Sequence, residues 1–439
     1  MWRITLALLF IAVPLQAMIV FENPAAANSS AGGFSYSDPY RERANQAIRR
    51  ALADFTLRLD DQVAPKPGFS SESPNVVFSP LSIASVLALV LLGARGQTQA
   101  EVAKLLGVTA GIDLTGRSET VHEEFGRLLD KLEEQRANRN GTLVTIARGL
   151  FLQKNFPINQ TFVKQTMDIY HTEVQRVDFQ QNSREAQTIV NKWVENRTEG
   201  HIKNLLQQEP DSMTTTVIAS ALYFIGQWEN PFYPGATKQK PFYVGKQAGS
   251  NHNEIINVDL MVNGADIPYY ADPDRKCTII GMPYKGDVMT MYVIVPDGDV
   301  KTFLDNTGHD DLEHLVKKTE TQPVIFLLPK MRLESTINLV PPLRNMGIKT
   351  LFDSRTSNLT NIAEGVFVNE AVHKVEIDIN ESGTVAAAAT AFTFTRDGSS
   401  PVVKVDKPFV FFIRHDETGI ILFWGKVIKP IPHYPIPHD

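Results

Sequence analysis

Ten histidines and a large pool of serines and aspartates could be arranged into a Ser–His–Asp triad on paper, and that abundance carries no information by itself. Catalysis needs a motif that fixes such groups in place. No GxSxG turn presents a serine nucleophile, no HExxH pairs two zinc ligands on one helix face, and no GxxxxGK[ST] loop cradles a phosphate. The one cysteine, Cys277, excludes an internal disulfide framework, CxxC redox chemistry and a multi-cysteine zinc site. His433 and His438 lie in a Pro-rich tail, where two histidines do not make a metal site. No catalytic residue, metal or cofactor is assigned, and the chain does not read as an enzyme.

The unusual residues do a different kind of chemistry. Residues 381–390 read ESGTVAAAAT, followed by AFTFTRDGSS over 391–400. Alanine favours helix, so a short helix is the plain alternative. However, a strongly alternating strand precedes the run, Thr/Phe alternation follows it, and Gly383 at the junction is free in φ and ψ. Counted with period two, one face carries Thr384, Ala386, Ala388, Thr390, Phe392 and Phe394, and the other Val385, Ala387, Ala389 and Ala391. Both faces are small or apolar, yet the segment ends in the polar, turn-like RDGSS. Such a stretch can be exposed as a loop and can equally lie buried inside a sheet. As a strand it spans roughly 40 Å at ~3.3 Å per residue. Ladder bonds on both sides would contribute on the order of 10 kcal/mol.

The elements that must position this stretch follow from periodicity. Apolar residues recur at helical spacing from Ala44 to Leu59, Ile83 to Leu92 reads as a buried helix, and Thr98 with Glu101 reads as a capping box opening another. Val121 to Leu132 is amphipathic, with Val121, Phe125, Leu128, Leu129 and Leu132 inward and Glu123, Glu124, Asp130 and Lys131 solvated. Its mixed, mostly acidic charge argues against a heparin-type site. Strands are predicted at Asn75–Phe78, Val217–Phe224, Met289–Val295, Val324–Leu328, His373–Ile379, Val402–Val405, Phe409–Ile413 and Ile420–Val427, with DETG over 416–419 as a hairpin turn. Helices gather early and strands late, which gives an α+β fold in one large domain over 45–430.

The ends and the surface bear on location. Arg3 followed by apolar Ile4–Leu15 and small Ala17 reads as a signal peptide over 1–17, with a second cut fitting after Ala27. Pro14, Glu22 and Pro24 leave it short of the ~20 apolar residues of a spanning helix, and no later segment is long enough. Residues 18–44 read as a flexible arm and 431–439 as an unpacked tail. Sequons stand at Asn28, Asn140, Asn159, Asn196, Asn358 and Asn380, so an exported chain would be a glycoprotein. Asn380 is expected to be little used, because it sits at the Gly383 junction. A formal net charge of −6 gives no global basic field to attract nucleic acid.

The ordered motifs resemble the serpin family. They include NVVFSPLSIA from Asn75, GARGQT from Gly93, VDF from Val177, IVNKW from Ile189 with TEG from Thr198, YFIGQW from Tyr223, MPY from Met282, LPKM from Leu328, NEAVHK from Asn369, the Gly383–Thr384 junction, KPF from Lys407 and LFWGKV from Leu422. The resemblance spans about residues 45–430. It implies three β-sheets with about nine helices and a reactive-centre loop at about 381–407. A target serine protease would attack that loop and form a covalent acyl-enzyme, and the cleaved loop would then insert as a new strand and trap it. Such a switch draws its energy from strain stored in the intact fold and released by loop insertion.

Position by position, the resemblance implies that Glu381 pairs with Lys330 where the loop leaves the sheet, near Trp228. Ser79, Ser82 and His373 would form a polar cluster under the parting strands, with Ser220 standing where the family usually has Asn. Gly383, Thr384, Ala386, Ala387, Ala388 and Ala389 would form the hinge, Val385 replacing a frequent acidic residue. Spacing from Glu381 and back from Pro408 puts the specificity residue at Asp397, whereas Arg396, one residue upstream, suits a trypsin-like protease. Both remain open, with Arg396 preferred. A secreted monomer with no nucleic-acid or membrane partner is implied.

Overall fold

The computed structural model describes residues 39–64, 75–107, 118–137, 142–246, 253–286, 288–383 and 400–431. The expected signal peptide, most of the expected arm, most of the expected loop, and residues 432–439 of the expected tail lie outside these residues, so Thr384, Ala386–Ala389, Arg396, Asp397, Asn28 and Asn140 do too.

Nine α-helices occur among the described residues: α1 (Pro39–Val63), α2 (Pro80–Gly93), α3 (Gly96–Leu105), α4 (Ser118–Ala137), α5 (Gln160–Tyr170), α6 (Ser183–Arg197), α7 (Val300–Asp305), α8 (His309–Lys318) and α9 (Val340–Asn345). The α1 helix begins at Pro39, so residues 39–44, expected in the arm, are helical. Pro80 stands in the first turn of α2, where its missing N–H costs nothing, and the Ser79 hydroxyl caps the helix by accepting from the Ser82 N–H. Nearly every α2 side chain is buried, as its unbroken apolar sequence requires.

The strands, in chain order, are β1 (Val76–Phe78), β2 (Thr142–Gln153), β3 (Val174–Val177), β4 (Thr216–Gly226), β5 (Lys238–Lys246), β6 (Asn253–Asp272), β7 (Cys277–Pro283), β8 (Met289–Pro296), β9 (Glu320–Pro329), β10 (Met331–Asn338), β11 (Glu370–Ile379), β12 (Val402–Lys404), β13 (Phe409–His415) and β14 (Ile421–Val427). Five of them form one sheet in the order β10-β11-β4-β2-β3. The other nine are connected through β6, whose residues up to Tyr269 pair with β5 and β9 and whose last residues, Tyr269–Asp272, pair with β7. This long strand joins a β5-β6-β9-β12 sheet to a β7-β8-β13-β14-β1 sheet, giving three sheets in an α+β fold.

Within the five-stranded sheet, β11 and β4 run parallel, pairing Glu370–Glu376 with Val217–Tyr223. One face of the pair (Ile218 and Leu222 on β4, Val375 and Ile377 on β11) joins the main core with α2. The opposite face (Val217, Ala219, Ala221, Tyr223) packs against α6 in a second, smaller core.

Two expectations are corrected here. Thr98 is not a cap: α3 starts earlier, after Arg95, and Thr98 is fully buried inside it. Its Oγ1 accepts from the Asn358 N–H at 3.0 Å, while Glu101 accepts from the Lys349 and Thr350 N–H groups, each at 2.8 Å. The pair fastens α3 to the 349–358 turns instead of closing its own helix. Glu124 is not solvated but buried, its charge met by Arg127 at 2.5 Å, one turn along α4.

Candidate functional site

Beneath the paired strands, four side chains close a polar network, all fully buried: Ser79, Ser82, Ser220 and His373. His373 Nε2 accepts from the Ser79 N–H at 2.9 Å, so a neutral imidazole carries its proton on Nδ1 and donates to Ser220 Oγ at 2.9 Å. The Ser220 hydroxyl is then free to donate to Ser82 Oγ at 2.8 Å. Ser220 and His373 are direct partners in the β4–β11 ladder, so the network ties the two strands to each other and both to the start of α2. Burial pushes the His373 pKa down to about 3, which keeps the ring neutral. The serine at 220 completes the network with one hydroxyl.

Above the Glu376–Tyr223 rung the strands part. Among the described residues, Ile377–Ile379 pair only with β10, and Phe224–Gly226 only with β2. At the top, a two-residue turn reverses the chain: Asn380 and Gly383 exchange backbone hydrogen bonds of 3.0 and 3.3 Å around Glu381 and Ser382. Asn380 Oδ1 accepts from the Ser382 N–H at 3.0 Å and tightens the turn. Gly383 also bridges to Gln227, beyond the end of β4. It therefore lies between the extensions of β11 and β4, antiparallel to both. Only glycine fits there: φ is +137°, and an added Cβ would lie 2.0 Å from the Gly226 carbonyl oxygen.

The turn is held from both sides. Glu381 pairs with Lys330 Nζ at 2.9 Å and accepts from the Thr237 hydroxyl at 2.9 Å, while its carbonyl accepts from the Phe232 N–H at 2.7 Å. Burial raises the carboxyl pKa, but Lys330, Thr237 and a backbone N–H outweigh it and the net shift is downward. Trp228 donates its indole N–H to the Asn380 carbonyl at 3.0 Å and its backbone N–H to the Ser382 carbonyl at 3.1 Å. Its ring stacks on Tyr284, centroids 4.4 Å apart and 20° between planes.

The structure thus brings Glu381, Gly383, Lys330 and Trp228 into one cluster and Ser79, Ser82 and His373 into another. Sequence reasoning gave Gln227 and Tyr284 no role, although the YFIGQW and MPY motifs contain them, and missed Thr237, which no motif signals. Among the sequons, Asn159 is exposed and caps α5, Asn196 is exposed at the end of α6, and Asn358 and Asn380 are half-buried with Oδ1 bonded to the residue two positions on. Among the described residues, no helix is long and apolar enough to cross a membrane.

A family profile described as Serpin (serine protease inhibitor) matches residues 50–430. The leukocyte elastase inhibitor of Sus scrofa is 33% identical over 376 residues, 82% of this chain and 94% of its own. Plasminogen activator inhibitor 1 of Neovison vison is 31% identical over 386 residues, covering 86% and 92%. Among solved structures, human thyroxine-binding globulin complexed with thyroxine superposes with a TM-score of 0.77 at 25% identity, covering 88% of this chain and 99% of that one. The chain belongs to the serpin family. Like its serine protease inhibitor relatives, it is a protease inhibitor by class and not an enzyme.

Proposed function

We propose that this serpin is a secreted inhibitor that traps an extracellular serine protease by inserting its cleaved loop between β11 and β4, within a proteolytic cascade. The observation that carries the reading is the position of Gly383. Its bridges to Asn380 and Gln227 are the rung from which an inserted strand would continue, antiparallel to both neighbours. Thr384 and Ala386–Ala389 follow directly, and their small size suits passage under α6. Insertion replaces one parallel ladder with two antiparallel ones, which are slightly more stable per residue. The protease remains an acyl-enzyme on the specificity residue, Arg396 for a trypsin-like target or Asp397 for an Asp-directed one.

The Arg3–Ala17 signal pattern and the exposed sequons at Asn159 and Asn196 support export. A carrier function is the second reading, favoured by the likeness to thyroxine-binding globulin. The hinge argues against it, since no proline, charge or bulky ring stands between Gly383 and Ala389.

The test is incubation with trypsin-like proteases followed by denaturing electrophoresis and mass spectrometry of the released peptide. A covalent complex, a cut after Arg396 and a large rise in melting temperature of the nicked protein are expected. Proteases that cleave the loop and leave fully active would overturn the inhibitory reading, and a cut after Asp397 would change the target class.

A further inference from the structure

The fold treats the side-chain amides of the sequons at Asn159, Asn196, Asn358 and Asn380 differently. An N-linked sugar is attached to Nδ2, so it needs solvent beside that atom but leaves Oδ1 able to accept. Asn159 meets both conditions. It is exposed, its Oδ1 caps α5 by accepting from the Thr161 N–H at 2.9 Å, and its Nδ2 has no hydrogen-bond partner among the described residues. Asn196 is exposed in the last turn of α6. Its sequon threonine, Thr198, is fully buried, donating to the Val194 carbonyl at 2.8 Å and accepting from the Ile202 N–H at 3.0 Å. Sugar transfer uses that hydroxyl, so it must precede the closing of α6, and the fold then decides which modified chains survive. The other two sequons are half-buried. The Asn358 backbone is held by Thr98 Oγ1 and by the Arg95 N–H, each at 3.0 Å, and its Nδ2 lies 3.8 Å from where a Cβ on Gly96 would stand. Asn380 belongs to the Gly383 turn, with its carbonyl held by Trp228 and its Oδ1 by Ser382.

The two open sites share a neighbour. β3 ends the five-stranded sheet and pairs only with β2 among the described residues, so its other edge offers backbone groups to a further strand. Asn196 adjoins Arg197, whose guanidinium pairs at 3.8 Å with Glu173, the residue before β3. At the far end the Val177 carbonyl accepts from the Lys154 N–H at 2.8 Å, and Asn159 follows five residues after Lys154. The opposite edge of the sheet, β10, has no sequon but carries Arg332 and Glu334, and charges on an edge strand resist pairing by themselves. We propose that Asn159 and Asn196 carry N-glycans in the secreted protein, that Asn358 and Asn380 do not, and that the two sugars bracket β3 and keep its open edge from pairing with a second copy of the chain. The assignment rests on the export reading only in that the chain must meet the sugar transferase.

The test expresses the full chain in insect cells twice, once with its own N-terminus and once with the leader of another secreted protein in place of residues 1–17. Peptide N-glycosidase converts each sugar-bearing Asn to Asp, and mass spectrometry of the secreted protein should find that change at positions 159 and 196 and not at 358 or 380. An unmodified Asn159 or Asn196, or a sugar on Asn358 or Asn380, would overturn the assignment. Secretion and glycosylation with the foreign leader alone would overturn the export reading and leave the sites standing. Asp caps a helix as well as Asn, so the treated protein keeps α5. With rising concentration it should dimerise by light scattering, and the Val174–Val177 amides should exchange about tenfold more slowly, the factor for one hydrogen bond. The glycosylated protein should stay monomeric. A treated protein that stays monomeric, or that associates without slowing those amides, would overturn the shield. Thr161→Val removes one sugar but keeps the Asn159 cap bond, which uses the backbone N–H, and it should also associate; a variant as monomeric as wild type would overturn the part assigned to Asn159.

Discussion

Acidification should loosen the joint between β4 and β11 through His373. The ring is fully buried, and Nε2 is occupied as an acceptor by the Ser79 N–H, so a second proton would point at a donor. With a folded pKa of about 3 against an unfolded value near 6.5, the unfolded chain binds more protons throughout that window. Stability therefore falls as pH drops from about 6.5 toward 3, and the contribution is fully present only above it. At one pKa unit per ~1.4 kcal/mol, acidification from pH 7 to pH 5 costs about 2 kcal/mol through this residue alone. His122 and His415 are also pushed down by burial and act with the same sign, so the diagnostic quantity is a difference between proteins. Urea unfolding at pH 7 and pH 5 should show wild type losing about 2 kcal/mol more than His373→Gln, which keeps an acceptor and a donor but does not titrate. Equal losses in the two proteins would refute a neutral His373 as the hub of the network.

Other expectations follow from the same geometry. Gly383→Ala forces a Cβ to within 2.0 Å of the Gly226 oxygen in a conformation that disfavours side chains. It should cost at least ~1–3 kcal/mol of strain by calorimetry and leave mostly cleaved, uncomplexed inhibitor on denaturing gels. Thr384→Arg should turn the inhibitor into a substrate, because insertion would bury an unpaired charge, and the stoichiometry of inhibition reads this directly. Thr98→Val leaves the Asn358 N–H without the acceptor it has at 3.0 Å and should cost about 1–3 kcal/mol in urea unfolding, whereas a value near zero would refute Thr98 as a fastening of α3 to the 349–358 turns.

The sequence made the β-rich half of the fold legible because its strands carry their own evidence. Val375, Ile377 and Ile379 alternate with Lys374, Glu376 and Asp378, and the structure buries the first three in the main core and uses Lys374 and Glu376 in ion pairs on the opposite face. The long β6 strand was not legible. Its sequence, NEIINVDLMVNGADIPYYAD, changes partners from β5 and β9 to β7, and its burial follows those partners more than a fixed alternation. Thr98 and Glu101 misled for a related reason. A T-x-x-E pair is a local signal for capping, but the same two acceptors were claimed by backbone donors some 250 residues away in sequence.

The proposed hinge shows where the boundary lies between local and non-local information. Gly383, Glu381 and the alanines are visible in one segment, and their periodicity alone suggests a strand that can be either exposed or buried. Whether such a strand has a place to go depends on β11 and β4, more than 140 residues apart in sequence, being parallel and parting above Glu376 and Tyr223. Parallel neighbours leave room for a strand that reverses direction at a tight turn, because that strand is antiparallel to both. Had β11 and β4 been antiparallel, an inserted strand would have matched one neighbour in the antiparallel sense and the other in the parallel sense. The topology, together with the alanine run, is therefore what gives the Gly383 turn its direction.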